Sequence, residues 1–595
     1  MQAIETYYAA LKQYGGLGVA HESALRSAMQ NLLAEAGRDA GWTLVPERPL
    51  PNGKRPDATF LDAARLARGY WEAKDTGDDL ETEVRKKIAL GYPLSNTLFE
   101  DTRRALLFQG GRANRTEYDL TKPAELRDLV RQFVTYEAPD IAEFYRAVDA
   151  FALDLPALAQ DLKEIIAHER EGNPAFIRAF AAFHELCRTA LNPQIAAETI
   201  EEMLVQHLLT ERLFRTIFEN PDFTRRNVIA AEIENVIDAL TSRAFNRQEF
   251  LRKLDRYYGA IEAKGRGITD WNEKQGFLNR VYERFFQGFS TRQADTYGIV
   301  YTPQEIVSFL CASVEEVLRA EFGSSLSDPG VTVLDPCTGT GNFVVNLITH
   351  HINRRDLRRK YAGELFANEV MLLPYYIASL NIEHAYFAQA GEYAPFEGLC
   401  FTDTLALAEA QQLSMFGEPN TERVQREKDA AITVILGNPP YNVGQKSEND
   451  NNKNRPYAVV DGRVATTYAK ASKATLRNKL GDAYVKFFRW ATDRLQGRDG
   501  IIAFVSNNSF LDNLAFDGMR RHLADGFTTV YHLDCGGNVR RNPRLSGTTH
   551  NVFGIQVGVG ITLLVRRGER TKPARIFFYA QPADARAPER LAEIK

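Results

Sequence analysis

The sequence predicts a multidomain α/β chain. An α/β domain is expected over residues 1–135, an all-α connector over 136–290, and a doubly wound domain with a mixed, mostly parallel sheet over 291–570. Three observations predict this. At 595 residues the chain is too long for one ordinary core. Between about 140 and 290, Pro and Gly thin out and apolar residues recur every three or four positions. From about 295, apolar runs are each followed by polar or glycine-rich residues and then by a helical pattern. That is the habit of a parallel sheet presenting ligands at the carboxyl ends of its strands.

Composition bounds the function. Hydrophobic residues make up 44% and charged residues 25%, as in soluble globular proteins. A net charge of −4 lacks the basic excess of a chain that grips nucleic acid over its whole surface, so any DNA contact must be local. Cys187, Cys311, Cys337, Cys400 and Cys535 lie far apart in sequence. They suggest neither a zinc ribbon nor a disulfide framework, and they suit a reducing cytoplasm. The opening stretch "MQAIETYYAALKQYGG" is helical and polar, unlike a signal peptide, and no apolar run is long enough to cross a bilayer.

In the N-terminal domain, "ESALRSAMQNLLAEAG" has helical spacing and a Gly stop. "RPDATFL", "RGYWEAKD" and "RALLFQGG" read as strands bounded by Gly, Pro and Asp. The connector follows, with "QIAAETIEEMLVQHLLTERLFRTIF" and "VIAAEIENVIDALTSRAF" as its clearest helices.

In the third domain "VLDPCTGTGNF" carries Gly339-Thr340-Gly341 after an apolar strand. A dinucleotide loop wants a third glycine at 344, which is Val. Asp335 on the approach would oppose a pyrophosphate, so a ligand with a cationic end fits better. S-adenosylmethionine carries an ammonium and a sulfonium and no phosphate. Glu369 closes the next strand, "ELFANE", where an acid accepts from ribose hydroxyls, with Glu364 as its competitor. Asp403, after a third apolar run, suits either the amino group of an adenine or a helix N-cap.

"VILGNPPYNV" then poses a sharper question, since adjacent prolines cannot sit inside a buried strand. The exocyclic amine of adenine is a poor nucleophile because its lone pair is delocalised into the ring. Two acceptors aimed at its hydrogens localise that lone pair. Asn438 offers a side-chain oxygen and Pro439 its carbonyl, which the fixed φ of Pro439 and Pro440 holds in one orientation. Tyr441 offers a face on which an extruded base stacks. By chance the tetrapeptide falls in roughly 0.2% of chains this long.

"VLDPCTGTGNF" followed by "GNPPYN" resembles the DNA adenine-N6 methyltransferases, and the order of the two motifs is similar to that of the gamma class. "IVYTPQEIV" resembles the segment by which that family covers the methionine end of its cofactor, with Tyr301, Thr302 and Pro303 matching. "THNVFGIQVGVGITLLV" is similar to the late strands of single-chain restriction–modification polypeptides of the type IIG and type ISP kinds. The resemblance covers about residues 295–570. It implies a Rossmann-like SAM-dependent methyltransferase whose cofactor is held by Tyr301, Thr302, Pro303, Asp335, Gly339, Gly341, Phe343, Glu369, Asp403 and Asn438. Methyl transfer is then carried by Asn438, Pro439, Pro440 and Tyr441. It also implies double-stranded DNA as partner and a prokaryotic cytoplasm.

Residues 442–480 hold eight Lys or Arg against three Asp or Glu. Such a loop suits phosphate contact and equally a solvated surface loop. "HHINRRDLRRK" and "NVRRNPR" are further candidate contacts, each also readable as plain surface.

A second chemistry is expected near the N-terminus. Asp57, then Glu72-Ala73-Lys74, resemble the PD-(D/E)xK nucleases, which implies a restriction-endonuclease-like α/β domain. Asp57 and Glu72 are the expected ligands of Mg2+, which polarises a phosphodiester, and Lys74 orients water or neutralises the phosphate. Glu22 resembles the helix acid of some of these nucleases. Glu-x-Lys is common, about two per chain of this length. The copy Glu262-Ala263-Lys264 is set aside because it sits in a helical region with no strand-borne Asp before it.

The reading is therefore a bifunctional restriction–modification enzyme of phage defence, methylating adenine N6 and cutting unmodified DNA with Mg2+. Its alternatives are a modification-only enzyme with an inactive N-terminal domain, a protein-glutamine methyltransferase, and a DNA-sensing module that keeps only the fold. The family's target-recognition domain follows the methyltransferase. Residues 571–595 are expected to begin the linker to it, so weak or no site-specific methylation is expected of this chain unaided.

Overall fold

The computed structural model describes residues 2–16, 22–50, 52–62, 66–191, 195–217, 226–241, 245–252, 254–266, 268, 277, 281, 302–408, 419–441, 456–475, 478–538, 549–568 and 573–595. Its contacts divide the chain into two units, Met1–Pro156 with Gln248–Phe289, and Ala157–Arg247 with Ser290–Lys595. The division runs through the helix Pro139–Gly172.

The first unit is built on a six-stranded sheet in sequence order: β1 (Thr43–Pro46), β2 (Ala58–Leu61), β3 (Ala67–Ala73), β4 (Asn96–Glu100), β5 (Arg104–Gln109) and β6 (Arg115–Asp119). Only β3 and β4 pair in parallel, because the helix Leu80–Ala89 crosses between them. Asp79 caps that helix, accepting from the Thr82 amide. Trp42, Phe60, Trp71 and Phe133 centre the core, with Phe60 edge-on to Phe133 at 5.1 Å. The three strands read from the sequence all form. β1, β4 and β6 are additions, short runs whose pairing only the sheet supplies.

Described residues from 139 to 268 include helices and no strand. Glu262 and Lys264 lie on the helix Asp255–Arg266, and Lys264 pairs with Asp140.

The second unit carries an eight-stranded sheet. Its strands are β7 (Val333–Asp335), β8 (Leu365–Glu369), β9 (Leu399–Phe401), β10 (Val434–Gly437), β11 (Gly500–Asn507), β12 (Thr529–Asp534), β13 (Val559–Arg566) and β14 (Arg575–Ala580). They lie in the order β14-β12-β13-β11-β10-β7-β8-β9. Every pairing is parallel except those of β13 with β11 and with β12. The chain winds from β7 outward through β8 and β9, then returns to the other side of β7 as β10. That reversal opens a crevice at the carboxyl ends of β7 and β10.

Two readings differ at the C-terminal side. Residues 549–558 turn rather than extend, and the strand begins only at Val559. Residues 575–580, read as the start of a linker, form β14 in register with β12. All six are exposed, with Phe577 and Phe578 stacked on Tyr531 and His532 of β12.

Candidate active site

β7 ends at Asp335, and the chain turns through Pro336-Cys337-Thr338-Gly339-Thr340-Gly341 into the helix Asn342–Asn346. The Thr340 carbonyl accepts from the side-chain amide of Asn381, 2.9 Å away on the helix Leu372–Ala390. Gly341 takes φ +87°, and a β-carbon there would stand 3.1 Å from Ile382 and 3.3 Å from the Ala378 backbone. The glycine is thus required by conformation and by contact.

Glu369, at the end of β8, accepts from the Gly339 amide at 2.9 Å and from the Met371 amide at 2.8 Å. Burial outweighs those bonds and pushes its carboxyl up to about 7. Glu364, its competitor, accepts from the Gly330 amide and pairs with Arg359 and Lys360, so it is spent on the fold. Asp335 is fully buried, and its carboxyl likewise rises to about 7, the Cys337 amide that donates to Oδ1 at 3.2 Å offsetting burial only in part.

Asn438-Pro439-Pro440-Tyr441 leaves the end of β10 and faces this turn. One crevice is lined by Gly339, Glu369, Asp403 and all four of these residues. Asn438 donates from Nδ2 to the Thr302 hydroxyl at 3.0 Å, while its Oδ1 is buried without a hydrogen-bond partner. Thr302 and Pro303 stand just before the helix Gln304–Val317. Tyr301 lies outside the described residues, as do 442–455 of the basic insertion and 539–548, which hold most of "NVRRNPR".

The remaining residues divide. Asp335, Gly341 and Phe343 are not part of the crevice wall. Asp403 makes the bonds of an N-cap, its Oδ1 accepting from the Leu405 and Ala406 amides, and it also lines the crevice. The sequence reading misses Cys337, Asn368, Met371, Pro374, Tyr457 and Phe487, which share the wall. Met371 follows the strand-closing Glu369 and is traceable from it. Tyr457 and Phe487 have no local signal.

These groups fit S-adenosylmethionine. Asn368 Oδ1 is a buried acceptor without a hydrogen bond, and Glu369 and Asp403 set carboxyl oxygens on the same wall. These acceptors suit the ammonium, the sulfonium and the sugar hydroxyls of that cofactor.

In the first unit Asp57 stands just before β2, and antiparallel pairing sets it beside the end of β3. Asp57 Oδ2 accepts from the Ala73 amide at 2.8 Å, and Glu72 Oε2 from the Asp57 amide at 3.3 Å. Lys74 reaches Glu72 at 2.7 Å, Lys87 also pairs with Glu72, and Arg26 meets Asp57 at 3.1 Å. Burial and then the charge of Glu72 raise the Asp57 carboxyl. Two adjoining carboxylates suit Mg2+, which takes one or two such ligands and completes its shell with water and phosphate. Among the described residues no group of three or more His, Cys, Asp or Glu could hold a metal. The side chain of Glu22 lies outside the described residues.

The comparisons fall in two parts. Residues 131–273 match the family model of the type ISP restriction-modification enzyme coupler domain, and residues 273–474 match that of the N-6 DNA methylase. Among solved structures, the DrdV–DNA complex is 37% identical with a TM-score of 0.72 over all of this chain and 58% of its own. The ATP-dependent type ISP restriction-modification enzyme LlaBIII bound to DNA is 30% identical with a TM-score of 0.70, over 80% of this chain and 32% of its own. A nuclease-deletion mutant of the type ISP enzyme LlaGI with a DNA substrate mimic is 29% identical with a TM-score of 0.67, over 79% and 38%. The chain thus spans at most about six-tenths of these relatives. No curated protein matches it. Among the described residues no helix is long and apolar enough to cross a membrane.

Proposed function

We propose that this chain methylates N6 of adenine in DNA from S-adenosylmethionine, and that its first unit cuts unmodified DNA with Mg2+. The unpartnered Oδ1 of Asn438, set in one crevice with Glu369 and Gly339, carries the reading. The methylase-family match and the DNA in the DrdV and LlaBIII structures support it.

The cofactor supplies an electrophilic methyl on a sulfonium. Glu369 would accept from its ribose hydroxyls, and Asp403 from its purine amine. Thr302 holds Asn438, whose Oδ1 joins the Pro439 carbonyl in accepting the two hydrogens of the target amine. The lone pair that attacks is thereby localised, and the buried acceptors act in a medium that excludes water. Pro440 stiffens the corner and Tyr441 provides the stacking face.

In the first unit Mg2+ would polarise the phosphodiester. Asp57 and Glu72 would be its ligands, and Lys74, which pairs with Glu72, would orient the attacking water. The domain scheme that goes with this reading is a nuclease over 1–135, a coupler over 136–290 and a methyltransferase over 291–570.

The test is sequencing of modified bases in a host that lacks adenine methylation and expresses the complete gene. N6-methyladenine at one recurring site, absent with Asn438→Ala, is expected. The same modification with both proteins, or with neither, overturns the methyltransferase reading. For the nuclease, cutting of unmodified DNA by the complete protein is expected with Mg2+ and not with chelator.

A further inference from the structure

We propose that Tyr457 is a positioning residue that sets Asp403 to select a 6-aminopurine over a 6-oxopurine in the cofactor; this rests on the methyltransferase reading above. Tyr457 donates its hydroxyl to Asp403 Oδ2 at 2.9 Å, across 54 residues of sequence. Both side chains line the crevice that holds Glu369 and Asn438. The other oxygen of Asp403 is turned to the chain, accepting from the amides of Leu405 at 3.0 Å and Ala406 at 3.3 Å. The carboxylate is therefore gripped at both oxygens, and Oδ2 is the one on the Tyr457 side.

Tyr457 is itself held at two further points. Its amide donates to Asp461 Oδ2 at 2.8 Å. The Lys486 ammonium stands 5.2 Å from its ring centroid, within cation–π range. Lys486, only 3% exposed, is fixed in turn by Asp461 at 2.8 Å. A half-buried tyrosine needs none of this merely to fill space.

A carboxylate oxygen accepts more than one donor, so Tyr457 and an incoming amine can share Oδ2. A hydroxyl that points its proton at the carboxylate fixes the rotation of a torsion that is otherwise broad. An amine meets an acceptor held in place. A 6-oxo group meets a second acceptor and is rejected, as polar sites reject ligands that leave them unpaired.

The experiment measures binding of S-adenosylmethionine and of its 6-oxo (inosine) analogue to the whole chain by calorimetry, for wild type, Tyr457→Phe and Asp403→Asn. Expected are clear preference for the amino form in wild type and a roughly tenfold weaker affinity for that form in Tyr457→Phe, the scale of one charge-assisted hydrogen bond. The affinity of Tyr457→Phe for the 6-oxo form should be unchanged, so that selectivity narrows. A merely structural role would weaken both ligands alike, and that result overturns the inference. Full selectivity in Tyr457→Phe with loss in Asp403→Asn also overturns it while leaving the function intact. A wild type that binds neither ligand overturns both. Equal melting temperatures of wild type and Tyr457→Phe show that folding is not the cause.

Discussion

Gly437, the last residue of β10, lies so close to Asp335 that a β-carbon on it would stand 2.8 Å from Asp335 Oδ1. The two strands that flank the chain's reversal therefore meet at a residue with no side chain and a buried acid. Gly437→Ala must displace Asp335, Cys337 or the corner that begins at Asn438. Overpacking of this kind costs about 1–3 kcal/mol. A lower melting temperature and weaker cofactor binding are expected together. Binding at wild-type strength would show that the corner tolerates the shift.

Asn438→Ala deletes the unpartnered acceptor and leaves Glu369, Gly339 and the two prolines in place. Cofactor affinity should change little, whereas methyl transfer should fall by about 10²–10³, the scale of removing one preorganised polar group. Single-turnover transfer measured beside equilibrium binding separates the two. A variant that binds weakly but transfers at the normal rate would move Asn438 from the reaction to the cofactor.

How much of this is legible in the sequence depends on how far apart the cooperating residues lie. Asn438 to Tyr441 can be read because four consecutive residues make the whole corner. Glu369 can be read because a strand ends on it, and Glu364 stays its rival until Arg359 and Lys360 are seen to claim it. Phe487 reaches the crevice only because the helix Ala483–Arg494 is placed by the tertiary fold, and no pattern near 487 announces that. The strands β2 and β3 are plain from composition. β14 is as rich in strand formers, from Ile576 to Tyr579, but it lies beyond the region of resemblance, and its place is set only by its register with β12.

The carboxyl of Glu369 gives a pH dependence whose sign can be worked out. Burial raises it from 4.5 to about 7, so the folded protein binds a proton that the unfolded chain releases. Its contribution to stability is full below about 4.5 and is lost as the pH rises through about 7. Ribose hydroxyls favour the ionised form, so cofactor binding should release a proton and tighten as the pH rises through the same range. Melting curves between pH 5.5 and 8.5, with and without cofactor, should therefore diverge as the pH rises. Glu369→Gln should flatten the divergence. If it persists unchanged in that variant, Asp335 is the titrating group.

In the first unit function and stability should separate at Asp57. Its charge is held against burial and against Glu72, so the ionised form stands at a cost. Asn in its place keeps an acceptor for the Ala73 amide and removes the repulsion, while giving up the charge that pairs with Arg26. These changes oppose each other, and the net change in stability should stay within about 1 kcal/mol. Mg2+-dependent cutting by the complete enzyme should nonetheless vanish in Asp57→Asn while methylation continues. A purely structural acid predicts the reverse pattern, a destabilised protein that still cuts. Lys74→Ala sharpens the contrast, because it leaves the 2% exposed Glu72 with one fewer cation and should lower stability as well as cleavage.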